Sequence, residues 1–487
     1  MTRVYLVLMW TLVLPIGLAA GEAAARDVGV VDIGSRREPF VDHFLIDRLA
    51  GTRLTLHEPR PAEVAIKIDH PWEGPFNYGE GVIKDAPTYR LYYRGWSPAS
   101  APTRCYAEST DGIRWTKPKL GIHEVAGTTK NNVILVEAPF ANNFAAMLDA
   151  RPGVPSDQRY KGLAGSHKTG LFAFVSADGI HFKKLRNRPV LTSKLPNAFD
   201  GYCHAFWSAS EGLYVCYFRC GVQRMRTVAR ATSKDFIHWS DAVPMTYSDT
   251  GTTRPSNHLY EHMTDAYFRA PHIYVAFPSR FMPGRRVVTD ADLKQMSMAM
   301  LGKGQYYHDC SDGAFMTSRG GTRYDRTFME VFVRPGPGPQ NWTSRTNYPI
   351  QGVVPTGPGE MSIYVNRHYA QESWHLRRYV LRTDGFASVN APYAGGEMVT
   401  KPLTFSGKAL EINFATSAAG GLRVEIQDAK RKPIPGFALS DCPEIIGDLI
   451  ERVVTWKAGS DVGKLAGQPV RLRFVMKDAD LYAIRFR

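Results

Sequence analysis

The stretch TSKDFIHW at residues 232–239 is polar at its front and closes on a tryptophan, as a surface turn running back into a packed strand does. Related stretches recur as STDGIRW at 109–115, SADGIHF at 176–182, SRGGTRY at 318–324 and, degraded, RTDGFAS at 382–388. The shared pattern is Ser-x-Asp-Gly-x-x-aromatic, and the intervals between copies run from 57 to 85 residues. The pattern has a physical basis. An Asp side chain accepts hydrogen bonds from backbone amides just ahead of it, and Gly takes the positive φ of a tight turn. The aromatic residue then returns to pack between sheets. A unit that recurs at this spacing decides the architecture.

Strand-like runs accompany each copy: YRLYYRGW (89–96), YKGLAGS (160–166), LYVCYFR (213–219), IYVAFPSR (273–280) and MSIYVNR (361–367). They alternate apolar with polar or small residues and are rich in Tyr, Val and Ile, as half-buried strands are. A further stretch precedes each run: YGEGVI, NFAAMLD, GYCHAFWS, DAYFRA and QGVVPTGPGE. The unit therefore reads as three strands, a turn and a fourth strand, which repeated radially makes a β-propeller blade. Five copies predict an all-β chain with a five-bladed β-propeller over residues 65–389. TSKDFIHW is then the structural hairpin of the third blade. Helical signals are confined to TDADLKQMSMAML at 289–301, with Thr289 as its cap. From residue 390 the repeat stops, and alternating strands with Gly and Pro turns predict a β-sandwich over 390–487. Residues 26–64, including FVDHFLID, read as a strand region leading into the first blade.

The first 25 residues carry Arg3, an apolar run and small residues from Ala19, the pattern of a cleaved secretory signal peptide. Beyond it no run is long and apolar enough to span a membrane. The expectation is a secreted or periplasmic protein. The chain holds 60 Lys and Arg against 46 Asp and Glu, a formal charge of +14, spread along its length. In an exported protein that excess argues against nucleic acid and for anionic glycans or an anionic surface. The six cysteines show one C-x3-C spacing, Cys216 and Cys220, without the second cluster a zinc site needs. No cofactor is implied, no metal ligand set is assigned, and a structural calcium is not predicted.

A propeller holds its ligand at one end of its central channel, on the first strand of each blade or the loop before it. The acids there are Glu73 and Glu80 in blade 1, Asp149 in blade 2, Asp200 in blade 3, Glu261 and Asp265 in blade 4, and Glu360 in blade 5. Two or three convergent carboxylates are what glycoside hydrolysis needs, one protonated as acid and one acting as base or nucleophile. The catalytic candidates taken forward are Glu73, Glu80, Asp149, Asp200 and Glu360. Basic and aromatic neighbours supply substrate-binding candidates: Trp72, Trp96, His204, Trp207, His272, Arg280 and Arg319. Trp faces stack on sugars, and an Arg fork holds a carboxylate or sulfate.

With these motifs the chain resembles the glycoside hydrolases of families 32 and 68 and, more loosely, 43, 62, 117 and 130. TSKDFIHW is similar to the Ser-x-Asp-x-x-x-Trp turn of those blades, and MLDARPGVPSDQRYKGLAG (147–165) to their entry into blade 2. Over residues 38–487 the chain also resembles exported glycosyl-hydrolase-like proteins of planctomycete-type bacteria. The resemblance implies Asp149 as the acid that tunes its neighbours, Asp200 as general acid and Glu73 or Glu80 as base or nucleophile. The family 32 signatures Asn-Asp-Pro-Asn, Arg-Asp-Pro and Glu-Cys do not stand intact here. The resulting expectation is an exported glycosidase acting on a plant or algal polysaccharide or oligosaccharide, with an anionic glycan favoured by the charge. Two rival readings are a non-catalytic carbohydrate-binding propeller and a cell-surface scaffold that binds protein.

Overall fold

The computed structural model describes residues 29–97, 100–296 and 306–487. The expected signal peptide and the second half of the helix candidate lie outside the described residues. Among the described residues the regular structure is almost entirely β. The single α-helix among the described residues, Asp290–Gln295, is closed at its start by Thr289, whose hydroxyl accepts from the Asp292 amide at 3.1 Å while the Asp292 carboxylate accepts from the Thr289 amide at 2.8 Å.

Three successive four-stranded antiparallel sheets follow one another along the chain. The first runs through Tyr78–Asp85, Thr88–Gly95, Thr103–Ser109 and Val133–Leu135. The second runs through Ala145–Leu148, Tyr160–Ser166, Gly170–Ser176 and Lys183–Lys184. The third runs through His204–Ser208, Leu213–Val222, Met225–Ser233 and Val243–Pro244. The fourth region is broken. Asp265–Tyr267, Ala270–Ala276 and Met316–Ser318 form one small sheet, and His258–Leu259, Ser279–Met282 and Cys310–Gly313 another. In the last sheet Glu360–Arg367 pairs with His375–Arg382, which pairs in turn with Arg60–Lys67 from the far end of the chain. The first strands of neighbouring sheets lie side by side: Tyr78–Asp85 next to Ala145–Leu148, then His204–Ser208, then Asp265–Tyr267.

The Ser-Asp turns sit between third and fourth strands and share one geometry. Asp111 Oδ1 accepts from the amides of Ile113 and Arg114, both at 2.8 Å, while Ser109 Oγ accepts from Gly112 at 2.9 Å. Asp178 and Ser176 repeat this at 2.9 to 3.0 Å. Asp235 and Ser233 repeat it in TSKDFIHW at 2.8 to 2.9 Å. Where the first two copies place Gly at φ 72° and 76°, the third places Phe236 at φ 68° with its ring fully buried. Its packing offsets a left-handed backbone that costs a non-glycine residue about 1–2 kcal/mol. The last two copies differ. Ser318, with no Asp two residues on, donates to the carbonyls of Gly320 and Arg323, and Asp384 is buried, accepting from Tyr267 at 2.7 Å and Arg269 at 3.1 Å.

The N-terminal region does not stand alone. Its strands Val31–Gly34, Glu38–Pro39, Ile46–Ala50 and Arg53–Leu56 join a ten-stranded sheet with those after residue 386. That sheet is dominated by Leu410–Asp428 antiparallel to Val470–Phe486. Ile33, Phe40 and Leu45 share one apolar core with Phe414, Val424, Phe474 and Ile484. Where this body meets the fourth region, charges pair. Glu38, almost wholly buried, takes His272 Nε2 and Arg319 Nη1, each at 2.9 Å, and Asp42 takes Arg319 Nε at 2.9 Å. The six cysteines are buried and unpaired. Among the described residues, no helix is long and apolar enough to cross a membrane.

Candidate functional site

The ends of several sheets and their loops enclose a cavity of about 200 Å³. The first sheet contributes Tyr78, Arg94 and Trp96, the loop before the second Asn142, and the loop before the third Asp200, Gly201 and Tyr202. Tyr260 and Glu261 come from the fourth region, Arg345 and Tyr369 from the last. The lining is aromatic, with two carboxyl groups and two guanidinium groups set into it.

The two carboxyl groups stand in opposite environments. Glu261 is buried, and its Oε2 accepts from the Tyr202 amide at 3.3 Å. Burial pushes it up to about 8; Arg219, the Tyr202 amide and Arg345 oppose the shift, and the charge of Asp200 adds to it. At neutral pH its protonated form is therefore well populated. Asp200 is 67% exposed and forms an ion pair with the buried Arg219 guanidinium. Gly201, between them in sequence and space, has φ 148°, and a Cβ there would lie 2.8 Å from Glu261 Oε1. Only glycine lets the backbone pass this close to the carboxyl group.

The backbone around the cavity is held in unusual conformations. Asn197, Phe199, Met263, Arg345 and Asn347 all have φ between 45° and 68°. Such residues cluster where a site dictates side-chain direction, at a cost of order 1–3 kcal/mol each. Below the cavity floor lies a buried polar layer. Arg104 covers the Tyr202 ring at 5.5 Å and faces Glu80 at 3.0 Å. Glu80 also accepts from the Ala146 amide at 2.8 Å, and burial pushes it up to about 7. His204 and His262 stack edge to face at 5.6 Å, and burial keeps both imidazoles neutral, His262 falling to about 3.

The sequence candidates thus scatter. Asp200 and Trp96 line the cavity. Glu80 and His204 lie in the layer beneath it. Glu73 is a buried cross-brace, accepting from Tyr93 at 2.6 Å and from Lys117. Asp149 accepts from Lys161 and Tyr214, both at 2.6 Å, and so ties the second sheet to the third. Glu360 pairs with Arg378 and Thr356 beside its hairpin. Trp72 donates to Asn132 and stacks on His70 inside a core, and Trp207 packs against Tyr214. Arg280 forms a two-pronged pair with Asp312 beside a separate cavity. His272 and Arg319 belong to the junction with the terminal body. The residues that sequence reasoning passed over are Tyr202, Tyr260, Arg345 and Tyr369, together with Glu261, which it noted among the acids of blade 4 without carrying it forward. The one local signal was Gly201 directly after Asp200, a mark of close backbone approach. Among the described residues, no cluster of His, Cys, Asp and Glu is arranged to hold a metal ion.

No protein-family model matches the chain. No curated protein matches it either. Solved structures with a similar arrangement include a family 32 β-fructofuranosidase from Bombyx mori, 11% identical, covering 89% of this chain and 94% of its own, with a TM-score of 0.38. A family 43 α-L-arabinofuranosidase from Clostridium thermocellum is 13% identical over 59% of this chain and 81% of its own, with a TM-score of 0.37. An N-acetylgalactosamine deacetylase from F. plautii is 11% identical over 68% and 96%, with a TM-score of 0.41. The structural neighbours thus include glycoside hydrolases of families 32 and 43, alongside a different chemistry.

Proposed function

We propose that this chain is an exported glycoside hydrolase whose active centre is the cavity between Asp200 and Glu261. The observation that carries the reading is the contrast of the two carboxyl groups: one buried and readily protonated, one exposed and paired with Arg219, both on one aromatic-lined cavity. Glycoside hydrolysis asks for such a pair, since one carboxylic acid must give a proton to the leaving oxygen while the other attacks the sugar or activates water. In this reading Glu261 is the general acid and Asp200 the nucleophile or base. The roles differ from the sequence expectation, which gave Asp200 the proton. Arg219 fixes Asp200, Gly201 lets Glu261 reach the cavity, and the Tyr and Trp faces seat the sugar. Glu73, Asp149 and Glu360 act as braces, and Glu80 supports the floor.

The architecture that supports this reading is a five-bladed propeller: the three regular sheets, the broken fourth region as a distorted blade, and the last sheet closed by Arg60–Lys67. The ten-stranded terminal body would be a sandwich braced against one side. The test is a screen of the purified mature chain against neutral, uronic and sulfated glycans, read as released reducing ends, with Glu261→Gln and Asp200→Asn beside wild type. Release that both variants lose supports the assignment. Release that survives in both places the chemistry elsewhere. Binding without release by wild type favours the carbohydrate-binding reading, which the aromatic lining also suits.

A further inference from the structure

Some guanidinium groups around the cavity have acid partners and others, among the described residues, have none. Tyr260 lies at the centre of the imbalance: Arg219, Arg226 and Arg345 approach its ring at 4.4, 5.2 and 5.4 Å. Arg219 is occupied by Asp200. Arg345 is held instead among Tyr260, Tyr306 and Tyr369, and among the described residues its side chain donates one hydrogen bond, to the Tyr306 hydroxyl at 3.4 Å. Among the described residues, no carboxylate stands within ion-pair distance of Arg345, Arg226 or Arg224. At the junction with the terminal body, by contrast, Arg319 pairs with Glu38 and Asp42, and beside a separate cavity Arg280 pairs with Asp312.

A second cavity, of about 480 Å³, adjoins the first and shares Asp200 with it. Its wall is the hairpin joining Leu213–Val222 to Met225–Ser233, with Arg224 at the tip and Arg226 beside it. Gln223 and Arg224 are the two central residues of that hairpin's tight turn, which takes positive φ at both positions (47° and 63°). Arg345 likewise carries a positive φ of 61°. Two guanidinium groups with no carboxylate partner among the described residues, Arg345 and Arg224, thus line the two cavities that share Asp200.

We infer that the ligand is an oligosaccharide bearing acidic groups on successive sugars, carboxylate or sulfate, with one seated at Arg345 in the first cavity and the next at Arg224 and Arg226 in the second. The inference rests on the proposed glycosidase site for the position of the scissile bond over Asp200. Arg forks bind planar oxyanions in two-pronged fashion and keep their charge throughout the accessible pH range. The surrounding Tyr rings keep Arg345 in place without neutralising it, which leaves its charge available.

The experiment is calorimetric binding of polygalacturonate, alginate and glucuronoxylan oligosaccharides, and of carrageenan and chondroitin sulfate oligosaccharides. Each is paired with its carboxyl-reduced or desulfated counterpart. The proteins are wild type, Arg345→Gln, the double variant Arg224→Gln/Arg226→Gln, and Lys430→Gln as a distant exposed control. At least one acidic glycan should bind wild type about tenfold to a hundredfold more tightly than its neutralised form, as one or two charge-assisted contacts imply. Arg345→Gln should remove most of that preference, and the double variant should remove a further part of it, leaving the share that comes from the acidic group at Arg345. Lys430→Gln should change nothing. A uronate-only or a sulfate-only preference identifies the source of the oxyanion. If no acidic glycan binds better than its neutralised form, or if Lys430→Gln weakens binding as much as Arg345→Gln, the inference fails. Selective binding with no released reducing ends would retain it while sinking the hydrolase reading. Release from neutral glycans without selectivity would do the reverse.

Discussion

The cavity and the junction with the terminal body are built from the same ingredients, arginines and acids close to aromatic rings, and they treat charge in opposite ways. At the junction Arg319 lies 3.8 Å over the Phe44 ring and meets two buried carboxylates. In the cavity Arg345 lies among tyrosines and meets none. The acids diverge in parallel. Burial would raise Glu38, but His272 and Arg319 outweigh it and hold its carboxyl below 4.5. Burial dominates at Glu261 and lifts it to about 8. Matched charge serves cohesion. Unmatched charge and a displaced proton are costs that a region bears when it must act on something else.

The largest expected effect lies on the acid side of that contrast. Glu261→Gln should lower kcat on any glycan that is hydrolysed by about 10²–10⁴-fold, the range for removal of a general acid. It should do so without loss of thermal stability, because an amide replaces a group that is costly to ionise where it sits. Activity that falls only with Tm would make Glu261 another brace.

Next comes Arg319→Met, which strands Glu38 and Asp42. Breaking a buried pair this way costs about 3–5 kcal/mol. Some solvent reaches Arg319, so the lower end is expected, measured by urea unfolding. The same substitution should leave the position of any pH optimum unchanged.

Gly201→Ala tests the approach of backbone to carboxyl group. Its methyl would press on Glu261, at a cost of about 1–3 kcal/mol for an overpacked site. Activity should fall more steeply than stability. An alanine variant with wild-type kcat would show that Glu261 has room to withdraw.

The pH dependence of stability should separate the two regions. Glu261 is raised in the folded state, so its contribution is complete below 4.5 and is lost as pH rises toward about 8. Glu38 is lowered, so its contribution is present above 4.5 and is lost as pH falls. Glu261→Gln should flatten the alkaline limb of a Tm profile and Arg319→Met the acid limb. The smallest effect belongs to Arg345→Gln, whose stability should stay within about 1 kcal/mol of wild type because no paired charge is broken. A loss as large as that of Arg319→Met would erase the distinction drawn between the regions.

Much of the β architecture was legible because it is local. Runs rich in Tyr, Val and Leu mark Thr88–Gly95 and Leu213–Val222 as strands without reference to the rest of the chain, and the Ser109–Asp111 turn is closed within a few residues. The terminal sheet was not legible in the same way. That Val31–Gly34 pairs with Leu403–Phe405 depends on a partner some 370 positions away, and nothing in VDIG names it. The candidate site was legible in part for the same reason. Asp200 could be placed by its position ahead of a first strand. The difference between Glu261 and Glu73 could not, since both are buried acids that accept a backbone amide, and only Lys117 and Tyr93 in contact with Glu73 set them apart. Arg345 sits in SRTN between two strands, where an unpaired guanidinium looks like any surface charge.

The pairing of Arg60–Lys67 with His375–Arg382 has a consequence for biogenesis. The clasp joins segments more than 300 residues apart, and the terminal sheet then adds the final strand, Val470–Phe486, beside residues near the beginning. A ribosome-bound chain can form the first three sheets in order as they emerge, but Arg60–Lys67 has no strand partner until His375–Arg382 has emerged. Contacts of such long range are slow to form. The cavity, which draws on residues from Tyr78 to Tyr369, is therefore completed only after the three regular sheets, and a product cut before Arg345 would carry those sheets without the full lining.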